Sequence, residues 1–374
     1  MRKPLITLAA LLLTSCMQSP PSGPPGSTVP PGPTDGRLYI SPQPEISPTA
    51  TPKNATDNVW GSAPNIDPHY GGVLYEGTAY QINSDPRPDL KDGNQPLRMW
   101  VADPNDGRTE RPAIIFYHGG GFAMGVNSMA SDGSMAYALD YAKRGYVVIS
   151  AEYRIDTTLF GELRPNGTKP SLCQWVQDNN APGDPTYDAN LAQCSRNMEA
   201  ATRDALAAVR YVHANAGSLG VNPDRIVVSG FSAGAVIASN TAYQWDNVGT
   251  SSYFPGDTLS PVDSRPNATL GASGCTFSAD GEPSATIDTG DVAYSGIASL
   301  YDQAVSYDCV RHTVDRARSM GLHTEMTSYC DTALHARELY LAHKYATDLQ
   351  WTHFMTRELG IYNDIEPFIP APLC

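Results

Sequence analysis

A serine stands between two glycines in Gly230-Phe231-Ser232-Ala233-Gly234, a pattern in which the hydroxyl can serve as a nucleophile. The pattern directly follows the apolar run 226–229 and opens a segment with helical spacing, which is the strand, sharp turn and helix that such a nucleophile requires. Glycines on both sides permit the close backbone approach that the turn imposes. The helix N-terminus behind Ser232 adds partial positive charge, and the Ala233 N–H points to where an oxyanion would develop.

A glycine-rich loop, His118-Gly119-Gly120-Gly121-Phe122, follows another apolar run at 113–117. Consecutive glycines let backbone N–H groups face a reacting oxygen, which would complete an oxyanion hole. The loop could instead serve only as a turn or as a phosphate cradle. A phosphate loop needs a Lys followed by Ser or Thr at fixed spacing, which this sequence lacks here. We interpret His118 as structural, holding the loop by hydrogen bonds.

A nucleophilic serine also needs a base and an acid, expected later in the chain in the order Ser, Asp or Glu, His. Asp302 follows the predicted strand 292–296, and His335 follows the predicted strand 324–329. Because parallel strands end at one edge of a sheet, both residues are expected beside Ser232. His335 would take the hydroxyl proton and return it to the leaving group, and Asp302 would fix the imidazole tautomer.

Other residues compete for these two roles. Asp308 is the nearest alternative acid, but it falls at the start of a predicted helix, where Asp commonly caps the helix or complements its dipole. Four further histidines lie in or beside predicted helices and are interpreted as surface or structural groups: His312, His323, His343 and His353.

After about residue 72, short β-branched or aromatic runs alternate with longer helical patterns, and these elements must position the residues above. Such alternation is typical of an α/β fold with a mostly parallel sheet. Eight strands are predicted, at 73–82, 97–102, 113–117, 147–152, 226–230, 269–273, 292–296 and 324–329. The continuous apolar runs 114–116 and 147–149 predict strands buried on both faces. Helices are predicted at 131–144, 198–214, 232–243, 307–320 and 334–359.

Residues 156–195 interrupt this alternation with several Gly, Pro and Asn residues and two cysteines. A direct strand-to-helix connection needs only a few residues. We therefore predict an inserted cap over the active-site face, stapled by a disulfide for which Cys173 and Cys194 are the best local pair.

The first residues resemble an export signal, because Arg2 and Lys3 precede the apolar run 5–13. That run is too short to cross a bilayer. Small residues before Cys16 resemble the bacterial lipobox, which predicts a signal peptide over 1–15 and a lipid anchor at Cys16. An ordinary secretory signal with an incidental cysteine is the alternative.

The Pro-rich segment 16–68 predicts a partly stiff linker that leads into one catalytic domain at 69–374.

Cysteine usage and charge limit the partners. Without Cys16, six of the seven cysteines remain. An even number of cysteines in an exported chain predicts disulfides, and six cysteines can be paired in 15 ways. None of the six forms a close Cys-x-x-Cys pair, so we predict no metal site. Acyl transfer through a serine nucleophile needs no cofactor, so none is predicted either. The formal net charge of −14 argues against nucleic-acid partners.

Taken with 145–154 and 221–226, these motifs resemble the hormone-sensitive-lipase-like and related bacterial carboxylesterase families of α/β-hydrolases, over roughly residues 95–360. The resemblance implies an α/β-hydrolase fold, the triad Ser232, Asp302 and His335, and an oxyanion hole formed by N–H groups of Gly120, Gly121 and Ala233. Phe231 departs from hormone-sensitive-lipase-like members, which often have Asp at that position.

The sequence thus predicts an exported, membrane-anchored serine carboxylesterase on the periplasmic or cell-surface side. Its substrate would be a small-molecule or polymer-linked ester, cleaved through an acyl-enzyme. Two alternatives stay open: a peptidase or amidase on the same fold, since the triad chemistry is shared, and a non-catalytic surface-binding lipoprotein.

Overall fold

One twisted sheet carries the candidate site residues. A computed structural model describes residues 99–102, 109–122, 141–142, 144–153, 185–248, 262–276, 286–361 and 374. The strands in this part are β1 Met99–Ala102, β2 Arg111–Tyr117, β3 Val147–Ala151, β4 Val221–Phe231, β5 Ala268–Ala272, β6 Ala293–Ser299 and β7 Thr324–Tyr329. They are ordered β1-β3-β2-β4-β5-β6-β7.

Only β1 runs antiparallel to its neighbour among these strands, and every other pairing is parallel. The predicted α/β fold with a mostly parallel sheet is therefore confirmed. The described sheet has seven strands, however, and the predicted count of eight is wrong for it. The additional candidate, 73–82, lies outside the described residues.

Apolar side chains cover both faces of the central strands. Ile114 and Ile115 are each fully buried, and they belong to separate core clusters because successive strand residues point to opposite faces. The first four residues of β3 are also almost fully buried. The continuous apolar runs at 114–116 and 147–149 thus correspond to strands enclosed between two layers.

Six helices within the described residues form those layers: α1 Pro185–Ala214, α2 Ala216–Leu219, α3 Ala233–Val248, α4 Tyr307–Ser319, α5 Ala336–Ala342 and α6 Lys344–Glu358. Side chains of α1, α3 and α4 share one core cluster with the sheet, and side chains of α5 and α6 share the other. None of the helices in the described part is both long enough and apolar enough to cross a bilayer.

Two helix boundaries differ from the prediction. α1 begins at Pro185 rather than at 198, so residues 185–195 of the predicted cap are helical. Proline is well suited to a first helical turn, because an N–H at that position would have no acceptor within the helix. Since the residues after Pro185 are mostly polar, the start predicted from composition lay too far along the chain. The predicted helix 334–359 is two helices, with a break at His343. The rest of the predicted cap, including Cys173, and most of the helix predicted at 131–144 lie outside the described residues.

Two disulfides link segments near the carboxyl ends of the strands. Cys275 after β5 is bonded to Cys309 in α4, and Cys330 directly after β7 is bonded to Cys374. Cys194 in α1 is also disulfide-bonded, to a partner outside the described residues. The prediction of disulfides is confirmed for these cysteines, although spacing alone did not identify the two described pairs.

Candidate active site

The turn between β4 and α3 places Ser232 in the left-handed region, with φ 55°. This region is costly for a residue with a side chain, by about 1–2 kcal/mol. The turn is held on both sides, since the Ser232 N–H donates to the Ala272 carbonyl at 3.0 Å and the Val236 N–H donates to the Ser232 carbonyl at 3.0 Å. The hydroxyl therefore stands at the tip of the bend rather than along the strand.

Gly234 makes this turn possible because it lies directly against the end of β2. A Cβ at this position would come within 2.0 Å of the Tyr117 carbonyl oxygen and 2.6 Å of the His118 carbonyl oxygen. No side chain fits there without moving backbone. The glycine that the sequence motif requires thus has a packing reason in the structure.

The glycine loop after β2 lies against this turn, because a Cβ on Gly119 would be 3.4 Å from the Ser232 Cβ. Gly120 and Gly121 have φ values of 124° and 61°, which orient the backbone in a way that favours glycine. Ala233 is the first residue of α3, where a backbone N–H has no acceptor within its own helix. The three predicted oxyanion-hole residues therefore lie in segments that meet at Ser232.

His118 is held inside this loop by contacts with its own backbone and with Tyr153. Its Nδ1 lies 2.6 Å from the Gly119 carbonyl oxygen, and its ring stacks on the Tyr153 ring with centroids 4.3 Å apart. The Tyr153 hydroxyl also donates to the His118 carbonyl at 2.7 Å. Sequence reasoning assigned no role to Tyr153, although its position two residues after β3, at the same sheet edge, was an available signal.

Three side chains from separate loops form a continuous hydrogen-bonded chain. The His335 Nε2 lies 2.8 Å from the Ser232 Oγ, and its Nδ1 lies 2.7 and 3.0 Å from the two Asp302 carboxylate oxygens. Ser232 follows β4, Asp302 follows β6, and His335 follows β7, immediately before α5. Parallel pairing brings these strand ends to one edge of the sheet.

Asp302 is the buried member of this chain, with a side chain only 1% exposed, whereas the His335 side chain is 28% exposed. Its Oδ1 also accepts hydrogen bonds from the N–H groups of Ala304 at 2.8 Å and Val305 at 3.1 Å. Burial by itself raises the pKa of Asp302, but the hydrogen bond and charge of His335 and the Ala304 N–H lower it below the ordinary aspartate value. The carboxylate thus stays ionised although it is buried.

The competing acid and bases lie elsewhere. Asp308 is in the first turn of α4 with a side chain 75% exposed and faces Arg311, while Ser306 caps that helix. Of the four alternative histidines, His343 stacks on Tyr329 at the break between α5 and α6, and His323 lies 2.8 Å from a Glu358 carboxylate oxygen. His312 is exposed on α4, and His353 lies within α6.

Among the described residues, no group of three or more His, Cys, Asp or Glu side chains is arranged to hold a metal ion. Cys16, the predicted lipidation site, lies outside them.

Comparisons with known proteins agree with this architecture. A family model described as the alpha/beta hydrolase fold matches residues 191–277, which include the turn at Ser232. Esterase 2 of Thermogutta terrifontis, phosphorylated by paraoxon, superposes with a TM-score of 0.54 at 19% identity, over 77% of this chain and 95% of that one. This chain has the α/β-hydrolase fold.

A second structure of the same esterase and one further protein also resemble this chain. The propionate-bound structure of the same Thermogutta terrifontis esterase superposes with a TM-score of 0.52 at 21% identity, over 76% of this chain and 100% of that one. Gut esterase 1 of Caenorhabditis briggsae is 29% identical over 147 residues, which are 39% of this chain and 21% of that protein. This chain thus aligns with about a fifth of this relative's length, while the solved structures show the fold.

We expect Gly234→Ala to abolish the turn at Ser232, because the added methyl group would overlap the Tyr117 and His118 carbonyls. Gly217→Ala is the matched control, since a Cβ on Gly217 meets nothing within 4 Å. In a helical position that change stabilises by up to about 1 kcal/mol. Thermal unfolding of both variants tests this expectation, and equal melting temperatures would contradict it.

The lowered pKa of Asp302 predicts a pH-dependent contribution to stability. Because the folded-state pKa lies below the unfolded value, the carboxylate stabilises the fold above the ordinary aspartate pKa of about 3.9. That contribution is lost as the pH falls through the folded-state value. In urea titrations between pH 7 and pH 3, the stability advantage of the wild type over Asp302→Asn should therefore shrink toward pH 3. The advantage over Asp308→Asn, which changes an exposed carboxylate, should stay small throughout.

Proposed function

We propose that this α/β-hydrolase is a serine esterase that cleaves carboxylic esters through an acyl-enzyme. The observation that carries the proposal is the hydrogen-bonded chain from Ser232 through His335 to Asp302, with contacts of 2.8 and 2.7 Å. Nucleophile, base and orienting acid in this order form the constellation used for acyl transfer. The esterase names of the similar proteins support an ester rather than an amide as substrate.

The reaction begins when the Ser232 oxygen attacks the ester carbonyl carbon while His335 Nε2 takes the hydroxyl proton. Asp302 accepts the Nδ1–H, which leaves Nε2 as the proton acceptor and stabilises the imidazolium that forms. The N–H groups of Gly120, Gly121 and Ala233 stabilise the negative oxygen of the tetrahedral intermediate.

The intermediate collapses when the carbon–oxygen bond to the alcohol breaks and His335 returns its proton to the departing oxygen. An acyl group then remains on Ser232. Water attacks this acyl-enzyme with His335 as base, and the acid is released as the Ser232 hydroxyl forms again. The complete reaction consumes one ester and one water molecule and releases one alcohol and one acid.

Small acyl groups are the first substrates to test. The Thermogutta terrifontis esterase has solved structures with butyrate and with propionate bound, and its fold is shared by this chain. We propose a small-molecule or polymer-linked ester as the substrate and short-chain nitrophenyl esters as probes.

Ser232→Ala should lower the hydrolysis of nitrophenyl butyrate by about 10⁴- to 10⁶-fold, because the nucleophile of a cooperative triad is lost. Ser218→Ala is the matched control: Ser218 is exposed on α2, before β4, and its hydroxyl contacts only the Asn215 carbonyl among the contacts described here. Steady-state kinetics of the two variants and the wild type give the comparison. Unchanged turnover by Ser232→Ala would contradict the proposal.

The same samples separate the alternatives. Faster cleavage of an anilide than of the matched ester would assign a peptidase or amidase instead. Failure of a fluorophosphonate probe to label the wild type, together with no turnover of either substrate, would indicate a non-catalytic binding protein.

We further propose that the protein is exported and anchored to a membrane through a lipid on Cys16. The signal-like segment 1–15 supports this, and so do the disulfides of the described domain, since such bonds persist in oxidising compartments. A lipid anchor would hold the catalytic domain outside the cytoplasm, at the end of the segment 16–68.

Expression in a bacterial host with a labelled fatty acid tests the anchor. The wild type should take up label and sediment with membranes, and Cys16→Ser should do neither. Ser15→Ala keeps a small residue before the cysteine and should behave as the wild type. If the wild type takes up no label and does not sediment with membranes, the segment 1–15 is instead an ordinary secretory signal.

A further inference from the structure

Phe231 is the last residue of β4 and directly precedes Ser232. Its side chain is only 5% exposed and belongs to the core cluster on the face of the sheet that α5 and α6 cover. One peptide bond joins it to the candidate nucleophile, whose own N–H is held by the Ala272 carbonyl. A displacement of the Phe231 ring is therefore passed directly to the turn at Ser232.

The Phe231 ring contacts two other aromatic rings. It meets Phe116 of β2 edge to face, with centroids 5.0 Å apart and an angle of 79° between the ring planes. On the side of the helices it meets Tyr340 of α5, with centroids 5.1 Å apart. Both separations lie within the range in which aromatic pairs attract each other beyond the burial of their surface. The ring thus forms a contact between the nucleophile turn and α5.

α5 carries the candidate base at its start. His335 lies directly before this helix of seven residues, and its carbonyl accepts a hydrogen bond from the Glu338 N–H at 3.0 Å. Tyr340 lies in the following turn of the same helix. Because backbone hydrogen bonds join the turns of so short a helix into one unit, a shift of Tyr340 also shifts the imidazole.

Tyr340 is itself held from behind by α6. Its hydroxyl donates to the Asp348 carboxylate at 2.7 Å, and its ring stacks on Trp351 with centroids 5.7 Å apart. The Asp348 side chain is almost fully buried and forms an ion pair with Arg144 at 2.9 Å. Buried polar networks of this kind restrict the motion of the groups that they join. Tyr340 therefore offers the Phe231 ring a fixed surface.

We propose that Phe231 and Tyr340 are a pair of positioning residues, whose ring contact sets the distance between Ser232 and His335. The 2.8 Å between Ser232 Oγ and His335 Nε2 depends on how closely the start of α5 approaches the turn after β4. The two rings meet in the core beside that turn and fix this approach. The inference rests on the proposed triad chemistry, in which both rings act only through Ser232 and His335.

Phe231→Leu and Tyr340→Leu each remove the ring contact and keep an apolar side chain. Each should lower kcat for nitrophenyl butyrate about ten- to a hundredfold, because a misplacement of about 1 Å at a reacting group can cost a factor of about 100. KM should change much less than kcat, since the contact positions the base and not the ester. If Phe231→Leu does not fold, Phe231→Met, whose flexible side chain adapts to gaps in a core, takes its place.

Tyr340→Phe separates the ring from the hydroxyl. It keeps the ring against Phe231 and against Trp351, and it removes the hydrogen bond to Asp348. The melting temperature should fall, since a buried carboxylate loses one donor. The variant should nevertheless recover most of the kcat that Tyr340→Leu loses. If it recovers none, the hydroxyl rather than the ring contact is responsible, and the proposal fails.

Phe354→Leu is the matched control for packing. Phe354 is fully buried in the same core cluster, but its ring stacks on His323, directly before β7, with centroids 5.6 Å apart. The variant should lose stability as Phe231→Leu does, because both remove a buried ring. Its kcat should equal that of the wild type. Equal losses of kcat in the two variants would assign Phe231 a general role in packing and overturn its role in positioning.

A double variant tests whether the two rings act through each other. Phe231→Leu combined with Tyr340→Leu should lower kcat no further than the more impaired single variant, since either change already removes the contact. A loss equal to the product of the two single losses would show independent effects and contradict the proposed pair. Melting temperatures of all variants identify any loss that comes from unfolding.

Labelling by a fluorophosphonate probe separates this proposal from that of the esterase function. The probe reacts with a serine that its base activates, so the labelling rate reports on Ser232 and His335 without any ester. Both leucine variants should be labelled more slowly than the wild type, and Phe354→Leu at the wild-type rate. Wild-type labelling rates in the folded leucine variants would overturn the role of the two rings. A wild type that is labelled but hydrolyses no ester would instead overturn the esterase function.

Discussion

The close contact between the start of α3 and the end of β2 is the constraint on which the site depends. At Gly234 the helix passes so near the Tyr117 carbonyl that hydrogen is the only side chain that fits. This contact forces the chain to turn within one residue, which leaves Ser232 left-handed and its hydroxyl outside both strand and helix. The same contact brings the glycine loop after β2 beside that hydroxyl. One packing requirement thus sets the positions of the candidate nucleophile and of the N–H groups proposed to stabilise an oxyanion.

Around this turn, the parallel pairing of the strands brings residues that are far apart in the sequence close together in space. The loops after β4, β6 and β7 leave the sheet at one edge, so residues 103 and 33 positions apart meet within hydrogen-bond distance. The acid is buried among donors, while the imidazole that it orients keeps partial access to solvent. This gradient of exposure suits a group that must exchange protons with a substrate and then with water.

Much of this arrangement could be predicted because short motifs specify local geometry. The glycines of the elbow, the strand before it and the positions of Asp302 and His335 after their strands were all visible in the sequence. The helix start at Pro185, the break at His343 and the disulfide partners were not, because tertiary packing decides them and spacing does not. The contacts of Tyr153 were not predicted for a related reason, because its hydroxyl donates to the carbonyl of His118, which is far away in the chain.

The two disulfides whose cysteines are both described lie on one side of the sheet. Cys275–Cys309 and Cys330–Cys374 join segments that follow β5 and β7, and neither reaches β1, a four-residue strand at the opposite border. Fluctuations that open a sheet begin where the fewest bonds must break. The half of the described sheet that holds Asp302 and His335 is therefore expected to keep its shape when other parts open. The geometry between Asp302 and His335 can then persist while order is lost at the other border of the described sheet.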